Sequence, residues 1–250
     1  MKIGEIVSTE VKQTSKVVQE FSRFAHKYDT YNMIQAKVAT RLIGKLPKIS
    51  YKNIIDIGAG SGEVYKNLQL QKISVEKFLA FDSAQTMLAI HPDGKDITKV
   101  CGNFNDRDFV AKLPNHHYDL LLSSSALQWS SDLARTMQKL SLLSSTFYGA
   151  VFTSGTFKTL HTVAGVNSPI YDVTTVQSVL KQYYGEVHFE IHQYRLEFET
   201  TRDMFKYIKQ SGVSSGERKL SYMQMKQLME SYPLNYLEFE VLFIEAKNKE

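Results

Sequence analysis

NIIDIGAGSGE occupies residues 53–63 and joins an apolar run to three closely spaced glycines. The run at 53–57 is typical of a strand buried inside a parallel sheet, and a helical pattern follows the glycines. Between strand and helix, residues without side chains let the backbone approach a ligand, which the first N–H groups of the helix would face. The stretch therefore predicts a ligand-binding turn. Its glycines are Gly58, Gly60 and Gly62.

The rest of the chain repeats the alternation of apolar runs with helical patterns, which indicates right-handed βαβ units and a mostly parallel sheet. Two late segments alternate strictly between apolar and polar residues and read as long strands. We expect an α/β sheet with an antiparallel edge strand, N-terminal helices and a helical insertion after the fifth strand. Predicted strands cover 53–57, 78–81, 99–101, 118–123, 148–153, 188–198 and 237–246. Predicted helices cover 15–46 in two pieces, 63–70, 84–90, 133–143, 174–184, 203–210 and 221–231.

The 250 residues suit one α/β domain with additions. We expect a helical lid at about 10–46, a ligand-binding core at about 51–155 and a helix-rich substrate region at about 160–235. Cys101 is the one cysteine, so the chain forms no internal disulfide and no site built from several cysteines. No window reaches the roughly 20 apolar residues that span a bilayer, and no signal peptide is evident. These features favour a cytoplasmic protein without a membrane partner.

The spacing of the glycines argues against a dinucleotide site. The dinucleotide fingerprint, G-x-G-x-x-G, would place its third glycine at position 63, where Glu63 stands instead. An acidic side chain at the start of the helix would also repel a pyrophosphate. A glycine-rich turn alone is equally compatible with a tight loop that binds nothing, but the acidic Asp82 at the end of the next strand is suited to accept two ribose hydroxyls.

DIGAGSGE at 56–63, followed by FLAFDSAQTML at 78–88, resembles the class I methyltransferases over about residues 51–155. That resemblance implies a Rossmann-like fold and S-adenosyl-L-methionine as the cofactor. This molecule carries a positive amino group and sulfonium and no phosphate, so it suits the acidic Asp56. The resemblance and the strand ends together give the expected cofactor residues, which are Asp56, Gly58, Ala59, Gly60, Gly62, Asp82, Ser83, Met87, Asn103, Phe104, Ser123 and Ser124.

Three further segments resemble a narrower family, the malonyl-acyl carrier protein O-methyltransferases of biotin synthesis. They are FSRFAHKYD at 21–29, SSSALQW at 123–129 and YPLNY at 232–236. The sequence departs from the family at Ser124, where an asparagine is usual, and at 210–214. The resemblance implies that the chain methylates the free carboxyl group of a malonyl thioester on acyl carrier protein or coenzyme A.

Such a reaction needs no general base, because a carboxyl group with a pKa of about 4 is already ionised at neutral pH. It does need a cation or several hydroxyls beside the methyl group. Lys209 aligns with a family lysine and is the first candidate, ahead of Arg202 and Lys206. Tyr28 is expected to close over the methionine end of the cofactor, and Trp129 to shape the acyl pocket. Solvated lysines and a packed core tyrosine and tryptophan are the simpler interpretations.

The net charge of +4 and the sequence pI of about 8.9 suit an acidic carrier protein, which a basic face would attract. Nucleic acid is not expected, because no dense basic run is interleaved with aromatic residues. No metal site is expected at His116-His117 or at His188 and His192, and the sequence does not predict an oligomeric state. The basic residues of the later region are Lys206, Lys209, Arg218, Lys219 and Lys226.

Two alternatives stay open on sequence grounds. One is another small-molecule carboxyl methyltransferase, similar to trans-aconitate methyltransferase, whose tricarboxylate would require several pocket arginines. The other is an assembly factor that binds S-adenosylmethionine without transferring its methyl group. RNA or protein methylation is less favoured, because no N/D-P-P-Y/F/W motif follows the fourth predicted strand.

Overall fold

The computed structural model describes residues 32–210 and 222–248. Its centre is a seven-stranded sheet in the order β3-β2-β1-β4-β5-β7-β6. The first five strands are parallel, whereas β7 runs antiparallel to both of its neighbours, β5 and β6. The strands are β1 Tyr51–Ile57, β2 Val75–Asp82, β3 Ile97–Cys101, β4 Leu120–Ser124, β5 Thr146–Phe152, β6 Glu186–Glu197 and β7 Tyr236–Lys247.

Helices connect the strands and cover both faces of the sheet. In the described ranges they are α1 Met33–Gly44, α2 Glu63–Leu70, α3 Gln85–Ile90, α4 Leu133–Leu143, α5 Lys158–Ala164, α6 Val173–Tyr183, α7 Thr201–Gln210 and α8 Tyr222–Ser231. Short 3₁₀ turns lie at Phe109–Lys112 and Leu127–Trp129. The predicted fold class is therefore confirmed, with β7 lying one strand inside the edge and β6 forming the edge itself.

Two apolar clusters hold these layers together. One joins α1, α2, α7 and α8 to one face of the sheet, and the other joins α4 and α6 to the opposite face. The strands β1 and β4 supply side chains to both clusters, so both of their faces are buried. This explains why Ile54-Ile55 and Leu120-Leu121-Leu122 are continuous apolar runs rather than alternating ones.

The strand order reverses direction between β1 and β4. The chain moves from β1 outward through β2 to β3, and then returns to the other side of β1 to form β4 and β5. In open α/β sheets the crevice beyond the carboxyl ends of the strands at such a reversal is the usual binding position. The turn after β1 and the segment after β4 therefore meet at the expected place for a ligand.

Candidate active site

The glycine-rich turn folds tightly over the ends of β1 and β2. The N–H groups of Gly58 and Ala59 both donate to the carbonyl oxygen of Phe81, at 2.8 and 3.1 Å. Gly58 has a φ of 77°, and a Cβ built on it would lie 2.2 Å from the Cβ of Ala126. Ala126 belongs to the segment after β4, so the turn and that segment are packed against each other at this glycine.

Asp82 fastens the turn to the end of β2. Its Oδ2 accepts from the N–H of Gly60 at 2.9 Å and its Oδ1 from the N–H of Ala84 at 2.8 Å. A carboxylate offers about four lone-pair sites, so acceptor capacity remains for a ligand. Burial raises the pKa of Asp82, although the hydrogen bonds from Ala84 and Gly60 act in the opposite direction. The half-buried side chain stands where the sequence predicted a ribose acceptor, and that role stays a prediction.

Asp56 lies beneath the turn with its side chain fully buried. Neither of its carboxylate oxygens has a hydrogen-bond partner in the described structure. Burial first, and the charge of Asp82 second, raise the pKa of Asp56 well above the ordinary range of aspartate. Buried carboxylates are normally paired, so this unpaired one fits a ligand that brings positive charge, as S-adenosylmethionine does.

The remaining predicted cofactor residues surround this crevice. Gly62 has a φ of 86° and begins α2, and a Cβ there would lie 2.5 Å from Pro92 Cδ. Met87 is buried, and its Cε lies 3.6 Å from the position of a Cβ on Gly60. Ala59 is buried, Ser83, Asn103, Phe104 and Ser124 are partly buried, and all are at or beyond strand ends. Their contacts with a cofactor stay predictions.

Two of these side chains already have partners within the protein. Ser123 is fully buried and donates its hydroxyl to the carbonyl oxygen of Ile57 at 2.8 Å, which ties β4 to β1. Asn103 Oδ1 accepts from the N–H of Asn105 at 2.9 Å. Serine is a favoured N-cap residue, so the sequence predicts that Ser83 caps the helix at 84–90, and this prediction is wrong. Ala84 occupies the N-cap position of α3, and the carboxylate of Asp82 binds the Ala84 N–H group instead.

A pocket begins at Ser125, the residue before Ala126. Its walls come from the segment after β4, the end of β5, the chain that follows β5, β7 and α1. No lysine or arginine is among the described residues that line it. They are Gln35, Ser125, Gln128, Trp129, Phe152, Thr156, Phe157, His161, Ser168, Pro169, Ile170 and Phe239.

The pocket lining concentrates buried polar atoms that lack hydrogen-bond partners. Five such atoms of the described residues belong to side chains of this one pocket. Each unpaired buried group costs about 1–3 kcal/mol, so a cluster of them indicates a surface made for a polar ligand. The five are Gln35 Oε1, Ser125 Oγ, Gln128 Oε1, Trp129 Nε1 and Ser168 Oγ.

Of the residues expected to contact substrate, the structure places Trp129 in this pocket. Lys209 lies near the end of α7, but its side chain is outside the described part, and Tyr28 is outside the described residues. Arg202 and Lys206, the weaker candidates, are exposed on α7, with their side chains away from the pocket lining.

Sequence reasoning missed most of the pocket. Ser125 and Gln128 fall inside the quoted segment 123–129 but were not assigned a role. Phe152, Thr156 and Ser168 come from parts of the chain with no motif of their own. A polar residue among apolar neighbours was the available signal for Gln128, and the others required the fold.

Comparison with known proteins agrees with this geometry. A family model described as "Methyltransferase domain" matches residues 55–143, which span the glycine turn, Asp82 and the segment after β4. The sheet order and the unpaired Asp56 beneath the turn fit the cofactor of that family. The protein is an S-adenosylmethionine-dependent methyltransferase.

Curated relatives of this methyltransferase include malonyl-[acyl-carrier protein] O-methyltransferases. The Bacillus cytotoxicus protein is 25% identical over 230 residues, covering 84% of this chain and 79% of the relative. The Haemophilus influenzae protein is 26% identical over 215 residues, covering 82% and 80%. A solved structure with the same fold is Haemonchus contortus phosphoethanolamine N-methyltransferase 2 in complex with S-adenosyl-L-methionine. Its TM-score is 0.52 at 14% identity, and the match covers 86% of this chain and 52% of that one.

Two kinds of feature are absent from the part of the chain that the structure describes. Between residues 32 and 210 and between 222 and 248, every helix is too short or too polar to span a bilayer. Within the same ranges, no group of three or more His, Cys, Asp or Glu side chains is arranged to hold a metal ion.

We expect cofactor binding to release a proton from Asp56. A cation brought near this carboxyl lowers its raised pKa, so affinity should fall as the pH falls through the pKa of the free enzyme. Calorimetric titration of S-adenosylhomocysteine, which keeps the cationic amino group, in buffers of different ionisation enthalpy measures the released protons. Asp56→Asn should abolish the release and weaken binding, whereas the exposed Asp108→Asn should change neither.

The same substitution makes a prediction for stability. The folded-state pKa of Asp56 lies above the unfolded value, so its contribution to stability is fully present at low pH and is lost as the pH rises through the folded-state pKa. Asp56→Asn should therefore raise the Tm of the cofactor-free protein at neutral pH. If Asp56→Asn still releases a proton when the cofactor binds, the proton does not come from Asp56, and its source would be assigned to Asp82.

Proposed function

We propose that this methyltransferase esterifies the free carboxyl group of a malonyl thioester on acyl carrier protein, or on coenzyme A, as a step of biotin synthesis. The observation that carries the proposal is the pocket beside Gly58, which combines neutral hydrogen-bond donors with apolar walls and has no lysine or arginine in its described lining. The names of the two bacterial relatives support the same substrate class.

A carboxylate is the nucleophile that such a pocket serves best. It is ionised at neutral pH and requires no base to remove a proton. When bound, S-adenosylmethionine would supply an activated methyl group, and in-line displacement by a carboxylate oxygen would leave the electron pair of the broken C–S bond on sulfur. The residues of the chain hold and align the two partners, an effect worth about 7–11 kcal/mol of the barrier.

Some side chains of the pocket would bind the carboxylate, and others would exclude water. The indole N–H of Trp129 and the hydroxyls of Ser125 and Ser168 are unpartnered donors that can hold a carboxylate. Phe152 and Phe239 lie in the apolar wall, which keeps water from the reacting oxygen. Neutral donors hold the anion without neutralising it, and this preserves its nucleophilicity.

The two alternatives that the sequence leaves open fit this pocket less well. A tricarboxylate would need several cations, whereas the described lining has no lysine or arginine and one histidine, His161. A protein that binds the cofactor without turnover has no need of a second pocket with five unpaired polar atoms beside the glycine turn. These two observations favour the malonyl substrate over both.

The carrier protein would approach a basic surface. Lys206 and Lys226 are exposed on α7 and α8, and Lys226 has only a distant acidic neighbour, Glu230, at 3.9 Å. Arg218 and Lys219 lie outside the described residues. We propose that this surface attracts the acidic carrier protein. A cytoplasmic location is also part of the proposal.

The test is to incubate the purified enzyme with S-adenosylmethionine and malonyl-acyl carrier protein and to weigh the carrier by intact mass spectrometry. We expect one added methyl group per malonyl group, with malonyl-coenzyme A and trans-aconitate run in parallel. Trp129→Phe keeps the ring but removes the N–H, and it should lower kcat/KM about tenfold or more, because a hydrogen bond to a charged group is lost.

Lys209→Ala tests whether the lysine or the neutral donors around Trp129 hold the substrate carboxylate. Methylation that survives Lys209→Ala but falls in Trp129→Phe would assign the carboxylate to the neutral donors and discard the lysine. Cofactor binding without methylation of any acid would overturn the proposal and favour an assembly role. Methylation of trans-aconitate alone would leave a carboxyl methyltransferase of different specificity.

A further inference from the structure

The structure fixes the orientation of the side-chain amide of Gln128, a residue of the pocket. Its side chain is 5% exposed, and its Nε2 donates to the carbonyl oxygen of Ser125 at 2.7 Å. Since a carbonyl oxygen can only accept, the amide nitrogen must face Ser125. The amide oxygen, Oε1, is thereby left as an acceptor, and it has no partner in the described structure.

The surrounding backbone holds this arrangement in place. Ser125 has a φ of 59°, and its N–H donates to the carbonyl oxygen of Ala150 at 2.8 Å. Its own carbonyl oxygen receives the Gln128 amide, so Ser125 is bound on both sides of its Cα. The residues Leu127–Trp129 form a 3₁₀ turn that carries Gln128 and Trp129 into the pocket lining. Rotation of the Gln128 amide would break the bond to Ser125, so Oε1 stays an acceptor.

A carboxylate cannot satisfy such an acceptor. Both oxygens of the methyl-accepting group are acceptors themselves, and they match the N–H of Trp129 and not the oxygen of Gln128. A ligand that fits this pocket therefore carries an N–H or O–H group as well as the carboxylate. In a malonyl thioester on a pantetheine arm, the amide next to the thioester supplies an N–H, whereas the malonyl group at neutral pH supplies none.

We propose that Gln128 is a specificity-determining residue that accepts a hydrogen bond from the first amide N–H of the pantetheine arm. The enzyme thereby distinguishes an acyl chain on its carrier arm from a free malonate or a simple malonyl ester. This inference rests on the proposed function and deepens it.

The test compares two small malonyl thioesters that differ in one atom. The first is malonyl-N-acetylcysteamine, which has the amide N–H. The second replaces that N–H by an ester oxygen. With wild-type enzyme we expect kcat/KM to be about tenfold higher for the amide, which is the effect of one buried neutral hydrogen bond together with the cost of leaving the acceptor unpaired.

Gln128→Met has a similar length and no acceptor, and it should bring the ratio between the two thioesters close to one. The exposed Gln69→Met should keep the wild-type ratio. Melting curves and S-adenosylhomocysteine titrations for each variant report folding and cofactor binding separately, because Gln128 also holds Ser125. A purely structural role would lower both kcat/KM values equally and leave the ratio unchanged.

Three results would overturn the inference. Wild-type enzyme could treat both thioesters alike, the preference could persist in Gln128→Met, or Gln128→Met could weaken cofactor binding and slow both thioesters by the same factor. The last result would assign Oε1 to the cofactor. If neither thioester nor malonyl-acyl carrier protein is methylated by the wild type, the proposed function itself fails, and that outcome is distinct from the other three.

Discussion

Gly58→Ala is expected to destabilise the protein by about 3 kcal/mol and to abolish measurable cofactor binding. The new methyl group would stand 2.2 Å from Ala126 Cβ, and the residue would retain a φ of 77°. Left-handed backbone in a residue with a Cβ costs roughly 1–2 kcal/mol, and overpacking adds about 1–3 kcal/mol. Relief of the clash would push the turn and the segment after β4 apart, which separates the two halves of the site.

Gly165→Ala is the matched control for this experiment. Gly165 also has a positive φ, 64°, but a Cβ built there meets nothing within 4 Å. Only the backbone cost of about 1 kcal/mol should remain, and cofactor binding should be unchanged. Chemical denaturation and titration with S-adenosylhomocysteine measure both quantities. Equal losses in the two variants would contradict the close contact between Gly58 and Ala126.

Asp82→Ala should lower cofactor affinity about 100-fold, the second large effect that we expect. The substitution removes the acceptors of the Gly60 and Ala84 N–H groups, so the glycine turn loses its tie to β2. It also removes the predicted acceptor of the ribose hydroxyls, and each hydrogen bond to a charged group is worth about 1.5–3 kcal/mol. Isothermal titration with S-adenosylmethionine measures the change.

Asp132→Ala is the control for the loss of cofactor affinity in Asp82→Ala. It also removes an aspartate that accepts a hydrogen bond from the backbone. Asp132 caps α4 and accepts from the N–H of Arg135 at 2.9 Å, on an element away from the turn. Its loss should cost about 1 kcal/mol of stability and leave cofactor affinity as it was. Comparable affinity losses in Asp82→Ala and Asp132→Ala would show that Asp82 acts only through stability.

The parallel part of the fold was predictable because its signals are local. Helices α2 and α4 match the predicted ranges 63–70 and 133–143 residue for residue. Strand β2 begins at Val75, three residues before the predicted start, because its pairing with β1 already begins at Val75 and Tyr51, ahead of the buried apolar run. Hydrophobic patterning shows which residues are buried, whereas backbone pairing sets where a strand begins.

The turn that carries the predicted cofactor residues was identifiable from the sequence, and the pocket was not. Asp56 and the three glycines form one short motif on one turn. The pocket draws Gln35 from α1, Phe152 from β5 and Phe239 from β7, so only the packed sheet brings its walls together. The predicted cap at Ser83 was wrong for a related reason. Ala84 has the extended backbone of the N-cap, and the carboxylate of Asp82 accepts from its N–H.

The two halves differ in electrostatic character, one acidic and the other without lysine or arginine in its described lining, and this difference suits the proposed reaction. Beneath the turn, the unpaired Asp56 and the nearby Asp82 favour a cationic cofactor. In the pocket, the proposed role of the neutral donors around Trp129 is to bind an anion without neutralising it. A cationic methyl donor and an anionic acceptor are thereby drawn to adjacent positions, with Ala126 at the boundary.

The most direct test of this account is a crystal structure of the enzyme with S-adenosylhomocysteine and a malonyl thioester bound together. We predict that the cofactor sulfur lies at the boundary near Ala126, facing the pocket, and that a malonyl carboxylate oxygen lies within hydrogen-bonding distance of Trp129 Nε1. A malonyl carboxylate bound elsewhere, or a sulfur directed away from the pocket of Ser125, Gln128 and Trp129, would contradict it.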